Sequence, residues 1–161
     1  MNIGLYDSGD IAWRPVSAAL ARARSLLALL TFGPVLLILV ALAVTAARWV
    51  WIPAGIVLVL LGWVLWLVHR QVSAISYAEL PEELVIRKGR VWRSLVSIPY
   101  GRLQYADMGS GPLARQFGLA SVTIHTAAPS SAGTLPGLPL AEAESLRDRL
   151  TSMGEAQRAG L

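Results

Sequence analysis

Residues that could do chemistry are sparse in this 161-residue chain. The two histidines, His69 and His125, stand far apart, with no carboxylate at metal-ligand spacing beside either, and there is no cysteine. A thiolate metal centre and a disulfide framework are thereby excluded. The spacings of a nucleophile elbow, a Walker A loop, a zinc-protease helix and a calcium loop are all missing. Gly109–Ser110–Gly111 has the small residues of a phosphate cradle, but no clear long helix follows it, and a turn is the plainer reading. Asp107 lacks the second ionisable neighbour that general acid–base chemistry needs. The expectation is no catalytic residue, no metal, no cofactor and no enzyme activity.

One constellation remains. Arg87, Lys88, Arg90, Arg93, Arg102 and Arg115 lie between Leu84 and Phe117 against a single acid, Asp107. Arg87, Lys88 and Arg90 flank Gly89, and Trp92 and Arg93 follow. A basic turn near a bilayer attracts anionic headgroups by about 1 kcal/mol per charge, and Trp92 has the amphipathic ring that suits an interface. Arg87, Lys88, Arg90, Trp92 and Arg93 are therefore the candidate lipid- or partner-binding residues. A solvated charged turn that enforces membrane topology explains the same pattern. The net charge of +4 is not gathered in a dense basic run, so nucleic acid is not an expected partner.

The elements that must position these residues begin with two apolar runs. The chain is 55% hydrophobic and 15% charged, against about 25% charged in soluble domains. Between Leu26 and Val68 the only charged residue is Arg48. About 20 apolar residues cross a bilayer core as a helix, so residues 26–47 and 51–68 read as two spans within a hairpin over 26–70. Their length and immediate succession argue against a cleaved signal peptide. Only Arg48, Trp49 and Val50 connect them, which makes the pair antiparallel. Arg14, Arg22 and Arg24 precede the first run, and Arg70, Arg87, Lys88 and Arg90 follow the second. The positive-inside rule then places both termini in the cytoplasm of a multi-pass plasma-membrane protein. Trp49 and Trp51 suit one interfacial belt; Trp63, Trp66, His69 and Arg70 suit the other. Residues 1–25 read as a cytoplasmic or interfacial segment, in which 11–25 form either an amphipathic helix in the membrane plane or a plain extension of the first span.

Beyond Gln71 the pattern alternates. Residues 84–88 and 91–98 read as a hairpin about a tight Gly89–Arg90 turn. Residues 103–108 and 119–126 read as strands, 113–117 as a helical turn and 134–138 as a short edge strand limited by Pro136. His125 falls on an exposed strand face. Leu140, Ala143, Leu146, Leu150 and Met153 approach an amphipathic helical stripe, with Gly154 as its stop and 155–161 as a tail. The predicted fold class is a membrane α-helical hairpin plus an α+β domain over 71–154, a bent antiparallel sheet closed by a C-terminal helix.

Three stretches carry a family resemblance: Ser97–Ile98–Pro99–Tyr100–Gly101–Arg102–Leu103–Gln104; Gly111–Pro112–Leu113 with Arg115 and Gly118–Leu119–Ala120–Ser121; and Pro136–Gly137–Leu138 followed by Ala143–Glu144–Ser145–Leu146–Arg147. Together with two preceding spans they resemble the bacterial pleckstrin-homology-like (PH-like) membrane proteins of the YdbS type, over about residues 13–154. The resemblance implies a PH-like split β-barrel with a C-terminal helix. It also implies a larger membrane protein with several PH-like modules as a partner, and it does not imply an enzyme activity. The expected function is a membrane-anchored interaction or scaffold module in contact with membrane lipids and with that larger protein or with itself. The alternative is a sensor of anionic headgroups through residues 87–93.

Overall fold

The computed structural model describes residues 11–45, 48–89, 93–127 and 132–159. They fall into two compact units, one formed by Ala21–Arg70 and the other by the chain up to Leu20 together with the chain from Gln71.

In the helical unit, α1 covers Ala19–Thr45 and α2 covers Trp51–Val72, with a short 3-10 turn at Arg48–Val50 between them. Their large apolar side chains are bare of protein cover: Leu37 is 72% exposed, Val59 70% and Trp63 61%. A core helix of a soluble protein hides such residues, whereas a helix solvated by lipid does not. The two threonines of α1 satisfy their own hydroxyls within the helix, Thr31 Oγ1 donating to Leu27 O at 2.9 Å and Thr45 Oγ1 to Ala41 O at 2.8 Å. That removes most of the cost of a polar group in hydrocarbon. Both helices extend past the apolar runs. Ser17 starts α1 early, its Oγ accepting from Ala19 N at 3.2 Å, and α2 continues through His69, Arg70 and Gln71.

The other unit holds two antiparallel sheets. The four-stranded sheet has the order β1 (Arg14–Pro15), β2 (Ser76–Glu79), β3 (Glu83–Lys88), β4 (Ser94–Pro99). The three-stranded sheet has the order β5 (Leu103–Gly109), β6 (Leu119–Thr126), β7 (Gly133–Pro139). A short helix, α3 (Pro112–Gln116), joins β5 to β6, and α4 (Leu140–Arg158) ends the unit. Tyr77, Leu84, Val85, Ile86 and Ile98 of the first sheet, and Val122, Ile124, Leu135 and Leu138 of the second, are fully buried. Leu146 and Leu150 of α4 are equally buried. At about 1.5–3 kcal/mol per buried side chain, this shared core holds sheets and helix together.

The sheets are separate: among the described residues no strand register joins them into a closed barrel. One corner is stitched by the segment ahead of α1. Arg14 pairs with Tyr77 and Pro15 with Ser76, and Ser17 N then donates to Gly137 O on β7 at 2.9 Å. Gly137 has φ of +76°, and a Cβ there would stand 2.6 Å from Leu20 Cδ2. Glycine is required twice over, by the backbone and by the close approach of Leu20.

Three details of the predicted elements are corrected. Residues 11–25 are not one helical lead-in: Arg14–Pro15 are a strand because Tyr77 and Ser76 pair with them, and the helix begins at Ala19. Lys88 pairs with Ser94, so residues 89–93 connect β3 to β4 and the turn is wider than Gly89–Arg90 alone. α4 passes through Gly154 to Arg158. Gly154 is no stop; it lets the helix approach Leu103, whose Cδ2 would be 2.9 Å from an added Cβ.

Candidate functional site

Among the described residues, Arg87 and Lys88 diverge. Arg87 and Lys88 are consecutive on β3 and so point to opposite faces of the sheet. Arg87 Nε donates to Ser76 Oγ at 2.7 Å, and its guanidinium lies 4.3 Å from the Trp13 ring centroid. Lys88 Nζ donates to the Thr134 carbonyl on β7. Both side chains thus make contacts inside the sheet unit. Arg93 is exposed at the entry to β4. Arg90 and Trp92 lie outside the described residues. In the helical unit Trp49, Trp51 and Trp66 are all exposed, and the Arg70 guanidinium stacks 4.9 Å from the Trp66 ring centroid.

The remaining polar candidates have structural roles. Ser110 Oγ donates to Leu119 O at 2.6 Å, bracing the turn after β5. His125 stacks on Tyr105 with ring centroids 4.3 Å apart. Among the described residues no cluster of His, Asp and Glu is set to hold a metal ion.

Sequence reasoning missed a polar cluster between the four-stranded sheet and α4. Arg149 forks onto Glu79, Nε to Oε2 at 2.9 Å and Nη2 to Oε1 at 2.8 Å. Arg14 Nη1 approaches the same Oε1 to 3.6 Å. Tyr77 OH donates to Glu142 Oε1 at 2.6 Å. Burial first, and then the Glu142 carboxylate, push the Tyr77 phenol up to about 12. Ala12, Arg14, Glu79 and Arg149 line an open cleft, but the carboxylate already answers the two guanidiniums. A signal was present: Glu142 and Arg149 are seven residues apart, on one face of a helix beside the Leu146–Leu150 stripe.

Sheet edges are the second feature that the sequence did not rank. Exposed edges invite pairing with another chain, and native proteins blunt them with charge, proline, brevity or bulges. β1 is two residues long and contains Pro15. β5 carries Asp107 and a register irregularity between Leu103 and Tyr105. β7 carries Pro136 and Gly137, with an irregularity in its pairing between Ala120 and Val122. β4 has none of these devices before its last residue, Pro99: Ser94–Leu95–Val96–Ser97–Ile98 is uncharged and in continuous register with β3.

The order of these elements can be set against known proteins. The family model described as "Bacterial PH domain" matches residues 17–154. The chain belongs to the bacterial PH domain family. A curated relative within this YdbS-type group is the UPF0699 transmembrane protein YdbS of Bacillus subtilis (strain 168), 35% identical over 71 residues. That match covers 44% of this chain and 43% of the relative, so it spans less than half of the relative's length. No solved structure matches. The bacterial PH domain match begins ahead of α1, so both apolar helices belong to the module, and the chain is a membrane-associated PH-domain protein with two candidate spans. The PH-like architecture is present as two antiparallel sheets and a C-terminal helix.

Proposed function

We propose that this protein is a non-catalytic, membrane-anchored interaction module that assembles with other PH-like chains in the plasma membrane. The uncharged edge of β4 carries this reading, because it offers unblunted backbone for strand addition. In this proposal α1 and α2 cross the bilayer as a hairpin, the arginines at their outer ends hold both termini in the cytoplasm, and the sheets and α4 form a PH-type split barrel there. Confinement to the membrane raises the effective concentration of any partner held in the same bilayer, so a modest edge contact suffices. A larger membrane protein with PH-like modules, or a second copy of this chain, has the matching strands.

Direct lipid sensing by residues 87–93 finds less support, since Arg87 and Lys88 are engaged with Ser76, Trp13 and Thr134. The test is a mild-detergent pull-down of the full-length protein from its native membrane, followed by mass spectrometry of proteins and lipids. The expected result is a stoichiometric membrane-protein partner or a self-complex. Recovery of the lone chain with enriched anionic lipid overturns the proposal.

A further inference from the structure

Resting on that reading, we infer that β4 pairs with β4 of a second copy, antiparallel about a two-fold axis at Val96, joining two four-stranded sheets edge to edge.

The register follows from composition. Val96 is the centre of Ser94–Ile98, the part of the strand without charge or proline. Centring there uses all of that stretch: Val96 faces Val96 of the other copy, Leu95 faces Ser97 and Ser94 faces Ile98. No like charges meet along the seam, which would destabilise a cross-strand pair. Arg93 of each copy falls opposite Pro99 of the other, so the two arginines lie at opposite ends of the seam. The end that receives Arg93 is acidic, because Pro99 pairs with Glu83 on β3 and Tyr100 N donates to Glu82 O at 3.1 Å. The seam is therefore neutral along its length and complementary in charge at both ends. A self-complementary patch of this kind is what a two-fold interface requires. Shifting the centre to Leu95 or Ser97 shortens the paired uncharged stretch.

Accessibility agrees. Ser94 and Ser97 are exposed, Leu95 and Val96 half-buried and only the Ile98 side chain buried in its own core, and among the described residues the only strand hydrogen-bonded to β4 is β3. The side chains do not close the edge either: Ser97 Oγ turns back to the Glu83 carboxylate.

The natural absence of cysteine makes the test clean. Directly opposed residues in antiparallel strands have Cα atoms about 4.5–5.5 Å apart, within disulfide reach. Full-length chains carrying single cysteines are oxidised in native membranes with copper phenanthroline. Val96→Cys is expected to give a disulfide-linked homodimer. Leu95→Cys and Ser97→Cys, opposite each other in this register and not buried, are expected to give one when co-expressed, with either alone weaker. Asp107→Cys on the β5 edge is the negative control. Adding Val96→Lys to a Leu95→Cys/Ser97→Cys pair should cut the crosslinked fraction roughly fivefold or more, by placing like charges face to face. Crosslinks from Val96→Cys to a different membrane protein, and none between copies, would overturn the second-copy inference while leaving the interaction module standing. No β4 adduct of any kind, with Asp107→Cys crosslinking instead, would overturn it and move the module's contact to the β5 edge.

Discussion

Arg149 on α4 grips Glu79 on β2 with two parallel hydrogen bonds, the planar fork of a guanidinium matched to a carboxylate. Glu79 is the last residue of its strand and Arg149 lies in the middle of the helix. The pair thus ties the four-stranded sheet to the element that follows the three-stranded one. Burial of Leu146 and Leu150 supplies the affinity between them, and the fork supplies direction, because it is satisfied in one arrangement only.

Breaking that fork should cost more than a surface ion pair does. Glu79 is 18% exposed, and Arg149→Ala leaves its carboxylate with only the 3.6 Å approach of Arg14. We expect a loss of about 1–2 kcal/mol, read as a lower thermal midpoint of the detergent-solubilised protein. Arg149→Lys should recover less than half of it, since an ammonium cannot form the bidentate pair. Equal midpoints for Arg149→Lys and the parent protein would show that geometry is irrelevant here.

The Gly137 notch makes a separable prediction. Gly137→Ala meets both the positive φ and Leu20, and should destabilise by roughly 2 kcal/mol or more. Leu20→Gly added to Gly137→Ala removes Leu20 Cβ, Cγ and Cδ2, which stand 2.6–3.0 Å from the new methyl, and should relieve the steric part while leaving the backbone part, about 1 kcal/mol. A double variant no more stable than Gly137→Ala alone would dissociate the notch from Leu20.

Alkaline stability follows from two buried phenols. Tyr77 is pushed up to about 12 by burial and by Glu142, and Tyr100 likewise by burial and by the Glu79 carboxylate. An unfolded tyrosine loses its proton near pH 10. These groups therefore contribute stability that is complete below about pH 10 and lost as pH rises towards about 12. The urea midpoint should fall across that window. Tyr77→Phe should flatten part of the fall, and Tyr77→Phe with Tyr100→Phe most of it. An unchanged slope in the double variant would assign the alkaline loss to other groups.

Arg87 distinguishes packing from headgroup binding. Arg87→Ala removes the Ser76 bond and the stack on Trp13 and should cost about 1–2 kcal/mol of stability in lipid-free detergent. Retention of full stability in detergent, with weakened binding to anionic vesicles, would return Arg87 to the lipid-facing role.

Much of this fold was legible because its signals are periodic. Continuous apolar runs marked the helices, alternation marked β6 to the residue, and the Leu146–Leu150 stripe marked α4. What stayed hidden depends on contacts distant in sequence. Arg14 and Pro15 read as part of a lead-in and became a strand only because Tyr77 and Ser76 are there to pair with them. Gly154 read as a helix stop, but Leu103 decides its role. The basic turn was visible as charge, whereas strand alternation sent Arg87 and Lys88 to different partners. The β4 edge was visible only by comparing all four edges, which requires the strand order.

The pairing of β1 with β2 dictates an order of events. Arg14 and Pro15 leave the ribosome first, and their partners Tyr77 and Ser76 follow only after both apolar helices. Closing so long a loop in a flexible chain costs about 4 kcal/mol in entropy, a cost that falls once the intervening segment has folded into its two helices. Completion of the four-stranded sheet thus waits on the segment that forms the two helices. Without that pairing the outer edge of β2 would stand bare, and in the membrane topology proposed above a chaperone or protease in the aqueous phase would have that edge to read.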